Sequence, residues 1–126
     1  MSCSENTNAS PGDPLETLDD VVAAAAFRRL VRHLRHRHDA QNIELMGLAG
    51  FCRNCLADWI AEASDGAGPP LEKAAAREVI HGMAASEWKA RYQSEATPEQ
   101  LARMAESVAR NNSGQSLSIL SDPKQG

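Results

Sequence analysis

The fold is decided by DAQNIELMGLAGFCRNCLADWIAEA, residues 39–63. Apolar side chains in this stretch recur at intervals of four, three, four and three, which is helical periodicity. The residues of this row are Leu45, Ala49, Cys52, Leu56 and Trp59. A second row through Leu48 and Cys55 widens the apolar face. The pattern predicts a central helix over residues 40–63, with Asp39 as the cap that separates it from the preceding helix.

Two glycines interrupt this predicted helix. Gly47 and Gly50 each cost about 1 kcal/mol relative to alanine in a helix interior. Such a cost indicates either the close approach of a neighbouring helix or a local kink ahead of the two cysteines.

The segment upstream also has helical periodicity. Asp13, Pro14 and Glu16 form a helix-start signal, because Asp caps free amides, Pro suits the first helical position and Glu complements the helix dipole. From Leu18 to Leu34 apolar residues recur at spacings of three to five. This pattern predicts a first helix that begins at the Asp13 signal and carries its arginines largely off the apolar stripe.

Downstream of the central stretch, turn residues separate shorter helical patterns. The sequence SDGAGPP, residues 64–70, is the clearest loop. Short helices are predicted over about 71–81, ended by Gly82, and over 86–92. The strongest local signal is Thr97-Pro98-Glu99-Gln100, a capping box that starts a last helix. Asn111, Asn112 and Gly114 are expected to end it.

Composition sets the fold class. The chain has 126 residues, of which five are aromatic (two Phe, two Trp and one Tyr). Few aromatic and β-branched residues disfavour a β-sandwich or barrel, and no run approaches the roughly 20 apolar residues of a membrane span. We expect an all-α protein, a small compact bundle of four to five helices over residues 14–111, with a disordered leader (1–13) and a mobile tail (112–126). A core of this size makes oligomerisation useful.

The net charge of −4 conceals a basic segment. Residues 28–38 contain five Arg and three His and no acidic residue. Paired guanidinium donors bind phosphate, so one candidate anion site consists of Arg28, Arg29, Arg32 and Arg35. The acidic chain and the lack of stacking aromatics on this face argue against nucleic acid as the partner. The alternative is a solvated helix end whose cations complement the helix dipole.

The C-x-x-C of Cys52 and Cys55 permits three interpretations. The two thiolates could share a zinc or iron ion, with His33 as a further ligand. Antiparallel packing about Asp39 leaves His33 about 10 Å from the level of Cys52, so this ligand needs a bend or a partner chain. The pair could instead be redox-active, although no strand precedes it, as one does in thioredoxin-type sites. The third interpretation is that both cysteines pack in the core.

The run AGFCRNCL, residues 49–56, resembles the short proteobacterial proteins of domain-of-unknown-function family twelve forty-four. The likeness extends over about residues 27–104 and implies a small all-α fold and a bacterial, cytoplasmic setting, with no established activity. His33, Cys52, Cys55, Asp39 and Asn42 match the family pattern, which makes Asp39 and Asn42 further candidate site residues. His38 and His81 stand where the family usually has Thr and Tyr, so a family-wide metal site would not use them.

No catalytic motif is present, since the chain contains no G-x-S-x-G, phosphate loop or H-E-x-x-H. We therefore expect an interaction or accessory module without catalytic activity, whose partner is another protein or a second copy of the chain. Metal binding or thiol chemistry at the C-x-x-C is the first alternative. Phosphate or RNA binding by the arginine-rich helix is the second.

Overall fold

The computed structural model describes residues 12–117, and the side chains of residues 12–113. Within these bounds the chain forms six α-helices and no strand. They are α1 (Asp20–His36), α2 (Asn42–Ala49), α3 (Arg53–Ser64), α4 (Lys73–His81), α5 (Ala85–Tyr92) and α6 (Pro98–Leu117). The all-α prediction is confirmed. Residues 1–11 of the predicted leader and 118–126 of the predicted tail lie outside the described part of the chain.

The number of helices exceeds the predicted four to five because the central helix over 40–63 is two helices. Gly50 has φ +79°, and its N–H bonds back to the Met46 carbonyl at 3.0 Å, which ends α2 with a left-handed residue. Cys52 is extended (φ −145°, ψ −173°) and starts α3. The other glycine admits a close neighbour: a Cβ on Gly47 would lie 3.1 Å from the Cβ of Arg103 in α6. Both consequences expected of the glycines therefore occur.

The first helix begins later than predicted. Asp19 is its N-cap and accepts a hydrogen bond from the Val21 N–H at 3.2 Å. Asp13 caps a separate turn, accepting from the Leu15 N–H at 2.9 Å. The start at Asp13 is wrong because two aspartates offer caps, and the alanine-rich run that propagates a helix well follows the second.

Asp39 does not cap the following helix. Gln41 is the N-cap of α2, and its N–H donates to the Glu44 carboxylate at 2.9 Å. Asp39 instead forms a bidentate ion pair with Arg37, with N···O distances of 2.8 and 2.7 Å. The guanidinium group lowers the pKa of Asp39 to about 2. The nearby arginine thus competes with the free amides for this carboxylate.

The capping box at the start of α6 is confirmed. The Gln100 N–H donates to Thr97 Oγ1 at 3.1 Å, and the Thr97 N–H donates to Gln100 Oε1 at 2.9 Å. The predicted end is wrong, because the helix continues through Asn111 and Asn112 to Leu117. Asn111 has a tertiary role instead: its Nδ2 donates to the Gly50 carbonyl at 2.8 Å.

The core lies between α1, α3, α4 and α5. Its buried apolar residues are Val31, Leu34, Cys52, Leu56, Ala57, Ala76, Ile80 and Trp88, so one of the two cysteines packs in the core. Burial of a side chain such as Leu56 or Ile80 contributes about 1.5–3 kcal/mol. α3 packs along α4, whereas α6 packs along α2 and forms a second layer. No helix in the described part of the chain combines the length and hydropathy needed to cross a membrane.

Candidate functional site

The two cysteines lie where α2 gives way to α3, in a segment that we call the cysteine turn (residues 50–55). Cys52 is the N-cap of α3 and is buried, and Cys55 follows one turn later and is half-buried. The sequence places both in the middle of one helix, whereas the structure places them at a helix start. This position gives Cys52 access to the unpaired amides of the first turn.

A hydrogen bond with Cys55 and burial raise the pKa of Cys52 well above its usual range. The backbone amides of Asn54 and Cys55 act in the opposite direction and do not overcome these two effects. The Cys52 thiol therefore keeps its proton at neutral pH. Because the thiolate is the nucleophile and the metal ligand, Cys52 has to lose this proton before it can react or bind.

Met46 contacts one of the cysteines, and Met104 lines the same cavity as the other. Cys55 Sγ lies 3.9 Å from Sδ of Met46 in α2. Cys52 and Met46 line one surface pocket of about 460 Å³, together with Met104 of α6 and the amide side chains of Asn42 and Asn54. We call this cavity the sulfur pocket. Sulfur-containing residues from α2, the start of α3 and α6 thus line one cavity.

Sequence reasoning missed Met46. On a continuous helix, nine residues separate Met46 from Cys55 by about 13.5 Å. The left-handed residue at Gly50 turns the chain, so that the end of α2 and the start of α3 face each other. The sequence feature that could have indicated this contact is Gly50, because it lies between Met46 and the cysteine pair and can reverse the chain.

His33 does not complete the site. It is exposed on α1, and among the described residues no group of three or more His, Cys, Asp or Glu side chains is placed to hold a metal ion. The predicted set of Cys52, Cys55 and His33 is therefore not assembled within the described part of one chain. The C-terminal end of α1 meets the cysteine turn through its carbonyl groups, whereas the His33 side chain is exposed.

Arg53 holds the cysteine turn in place. The residue is 1% exposed, and its guanidinium group donates to the carbonyls of Arg37 and Ala40, both at 2.7 Å. It also lies over the Trp88 ring, with Cζ 4.8 Å from the ring centroid. Burial lowers the pKa of Arg53. The charge interactions with Cys52 and Asp39 oppose that effect.

The two further candidates from the sequence have different positions. Asn42 belongs to the site: its Oδ1 accepts from Arg53 Nη1 at 3.0 Å, and the residue lines the sulfur pocket. Asp39 pairs with Arg37 at the surface, with 67% of its side chain exposed. Asn42 therefore positions Arg53, whereas the ion pair of Asp39 stabilises the loop between α1 and α2.

The arginine-rich face of α1 does not form one cluster. Arg28, Arg29, Arg32 and Arg35 are all exposed. Arg28, Arg32 and Arg35 line a groove of about 390 Å³ together with Val79 and other apolar residues. Arg35 donates through Nε to the Val79 carbonyl at 3.2 Å. One of the four predicted anion-binding residues is thus engaged in holding α4.

Two further histidines, His38 and His81, have structural partners. His38 stacks on Tyr92 with ring centroids 3.9 Å apart, and its Nδ1 accepts from Trp88 Nε1 at 3.3 Å. His81 is buried, and its Nδ1 lies 2.8 Å from the Arg77 carbonyl. Its ring is edge-on to Trp88 at 5.2 Å. Trp88, which is 1% exposed, is thus in contact with both rings.

Fold and site together define a small all-α protein with a cysteine pair at a helix start. The family model described as "Protein of unknown function (DUF1244)" matches residues 40–106, which is 67 of the 126 residues. The chain belongs to this family, and the resemblance read from AGFCRNCL is confirmed. A comparison with curated proteins finds no match. The matched segment contains the whole cysteine turn and begins after α1.

Proposed function

We propose that the protein binds a copper(I) ion through the thiolates of Cys52 and Cys55 and the thioether of Met46. The observation that carries the proposal is the 3.9 Å separation of Cys55 Sγ and Met46 Sδ, with Cys52 at the N-cap of the same helix, one turn before Cys55. Thiolates and thioethers are soft ligands, and this ligand type selects Cu(I) over harder ions.

The sulfur spacing fits a shared ion. A metal–thiolate bond is about 2.3 Å long in zinc sites, and two such bonds 120° apart place their sulfurs about 4.0 Å apart. The separation of 3.9 Å between Cys55 Sγ and Met46 Sδ agrees with this value. Methionine adds adaptability, because its unbranched chain can adjust around a ligand.

The ligand set favours copper over the zinc or iron named from the sequence. Structural zinc is almost always held by four Cys, His or carboxylate ligands, whereas here two thiolates and a thioether converge. The sulfur pocket supplies an entry path, since Met46 and Cys52 both line it. Asn42 and Arg53 fix the approach of α3 to the preceding loop, which supports the ligand geometry from outside.

The test is a competition titration of the reduced full-length chain with Cu(I) under anaerobic conditions, against a coloured Cu(I) chelator. All proteins carry Cys3→Ser, which removes the cysteine outside the described residues. We expect one ion per chain and a sulfur shell at about 2.3 Å in X-ray absorption. Cys52→Ser and Cys55→Ser should abolish tight binding. Serine is a favoured N-cap residue, so the first variant is expected to fold.

Methionine variants distinguish this site from a two-thiolate site. Met46→Leu nearly conserves volume and should weaken binding at least tenfold, whereas the matched change Met83→Leu, outside the sulfur pocket, should leave it unchanged. Affinity should also rise with pH, about tenfold per unit for each proton released, because Cys52 binds as its thiolate.

Three outcomes would contradict the proposal. They are failure of the parent chain to compete for Cu(I), equal binding by Met46→Leu, and preferential retention of Zn(II). Formation of a Cys52–Cys55 disulfide in a chain that takes up no copper would instead support the thiol-redox alternative.

A further inference from the structure

Helix α1 has an exposed face with no partner among the described elements. Its buried residues, Val31 and Leu34, lie in its C-terminal half. In the N-terminal half every residue from Asp20 to Ala26 is exposed except the half-buried Ala24. Val21 and Val22 are 74% and 51% exposed, and Leu30 further along is 40% exposed. An apolar surface of this kind on a small domain commonly marks an interaction site.

The exposed residues follow one stripe. At 100° per residue, Val22, Ala26 and Leu30 are successive i, i+4 neighbours, and Arg29 and His33 lie beside them. Phe27, Val31 and Leu34 point to a different side of the helix, toward the core. We call the exposed surface formed by Val22, Ala26, Arg29, Leu30 and His33 the α1 stripe. Alanine near its centre allows another backbone to approach closely.

The charges on α1 identify what covers the stripe. Asp19 stands at the N-terminal end of the stripe, whereas Arg29 and His33 stand toward its C-terminal end, and all three are exposed. A second copy of the same helix, running antiparallel, brings the acidic end of each copy alongside the basic end of the other. A parallel copy would place like charges together.

We propose that α1 mediates an antiparallel homodimer whose two-fold axis passes near Ala26. A two-fold axis at residue 26 places residues equally far before and after Ala26 opposite each other. Val22 therefore lies level with Leu30 of the partner subunit, and Asp19 lies level with His33 of the partner subunit. The interface is isologous, as two-fold symmetry requires. One helix forms a small interface, so the dimer is weak and depends on concentration. This surface is separate from the sulfur pocket.

Sedimentation equilibrium of the full chain over 5–500 µM tests the interface. The mass should rise above the 13.6 kDa monomer toward twice that value. Val22→Asp and Arg29→Glu should each raise the Kd at least tenfold. Arg28→Glu makes the same charge change one residue away, off the stripe, and should alter the Kd less than twofold. Added salt should weaken the dimer, because opposite charges are screened.

Cross-linking tests the register. Ala26→Cys should form an intermolecular disulfide on mild oxidation in the Cys3→Ser background. Val22→Cys should not, because residues four positions from the axis are separated by about 12 Å along the helix from their symmetry mates. A chain that stays monomeric at 500 µM, a dimer indifferent to Val22→Asp and Arg29→Glu, or equal cross-linking at positions 22 and 26 would overturn the proposal.

Discussion

At the residue scale, the burial of the Arg53 guanidinium group is the feature that the sequence did not predict. An arginine between two cysteines suggests a surface cation, yet this side chain is 1% exposed. Its acceptors among the described residues are three carbonyls, those of Leu34, Arg37 and Ala40, and the amide oxygen of Asn42. One side chain thus joins the end of α1, the loop before α2 and the start of α3.

Lysine should not replace Arg53. Its single ammonium group cannot reproduce the planar fork of donors or the stacking on Trp88. We expect Arg53→Lys to lower the free energy of unfolding by about 2–3 kcal/mol, because buried carbonyls lose their donors. Urea denaturation monitored by tryptophan fluorescence measures this change.

The matched control for Arg53 is Arg91→Lys. Arg91 is exposed and makes a single ion pair with Glu87 at 2.9 Å, so its replacement should change the stability by less than about 0.5 kcal/mol. Equal losses in the two variants would show that Arg53 does not hold the cysteine turn.

The candidate site was predictable from single residues only in part. Cys52, Cys55 and Asn42 were named from the sequence and lie in the site. Met46 was missed because its nearness to Cys55 depends on a chain reversal rather than on spacing. His33 was named because it is near in sequence and has the right chemistry, but α1 leaves it exposed away from the sulfurs.

At the level of elements, the division between α2 and α3 creates the site. An uninterrupted helix would separate Met46 from Cys55, and Cys52 would have no unpaired backbone N–H groups nearby. The break is fixed by the left-handed backbone of Gly50 and by Asn111 of α6, whose Nδ2 bonds to the Gly50 carbonyl at 2.8 Å. α6 therefore stabilises the turn from the opposite layer.

Gly50→Ala should be strongly destabilising. Gly50 has φ +79°, a backbone conformation that residues with a side chain rarely adopt. An added Cβ would also collide with the amide group of Asn111. We expect a loss of about 2–3 kcal/mol, from backbone strain and displacement of Asn111 together. The free energy of unfolding in urea is the measurement.

Gly66→Ala supplies the control for this change. A Cβ at Gly66 meets nothing within 4 Å, and alanine there should be neutral or slightly stabilising because it restricts the unfolded chain. In the double variant Gly50→Ala, Asn111→Ala the loss should be smaller than the sum of the two single losses, since the two residues share one contact. Full additivity would contradict the collision.

The helix start marked by a reciprocal capping box was predictable, whereas the start of α1 and the helix junctions that depend on tertiary contacts were not. Thr97 and Gln100 contain their whole capping box within four residues, so the start of α6 was correct. The division at Gly50 was anticipated as one of two options, because a glycine alone does not say whether a neighbour or a turn requires it. Asp39 was assigned a cap that Gln41 provides, since Arg37 engages its carboxylate.

At the scale of the whole molecule, the core holds four helices together around Trp88 and encloses His81 as well as Arg53. His81 of α4 packs edge-on against Trp88 and faces the positive charges of Arg53 and Arg77. Burial lowers the pKa of His81, those two charges lower it further, and the hydrogen bond to the Arg77 carbonyl opposes them. The folded state therefore prefers the neutral imidazole.

This preference fixes the sign of the acid response. In the unfolded chain His81 titrates near pH 6.5, so its neutral burial contributes stability above that pH, and the contribution is lost as the pH falls toward the lowered pKa of the folded state. The free energy of unfolding should decline from pH 7 to pH 5. The Asp39–Arg37 pair acts in a lower window, because the pKa of Asp39 is about 2 and its contribution is lost below about pH 4.

Chemical denaturation at half-unit steps from pH 7 to pH 5 tests this assignment. His81→Gln should flatten the decline, since the amide keeps a polar partner for the Arg77 carbonyl and has no charge to gain. His36→Gln, at an exposed position of α1, should retain the slope of the parent chain. If both variants kept the parent's slope, the acid sensitivity would come from groups other than His81. The comparison uses slopes rather than absolute stabilities, so it is valid even if glutamine packs less well beside Trp88.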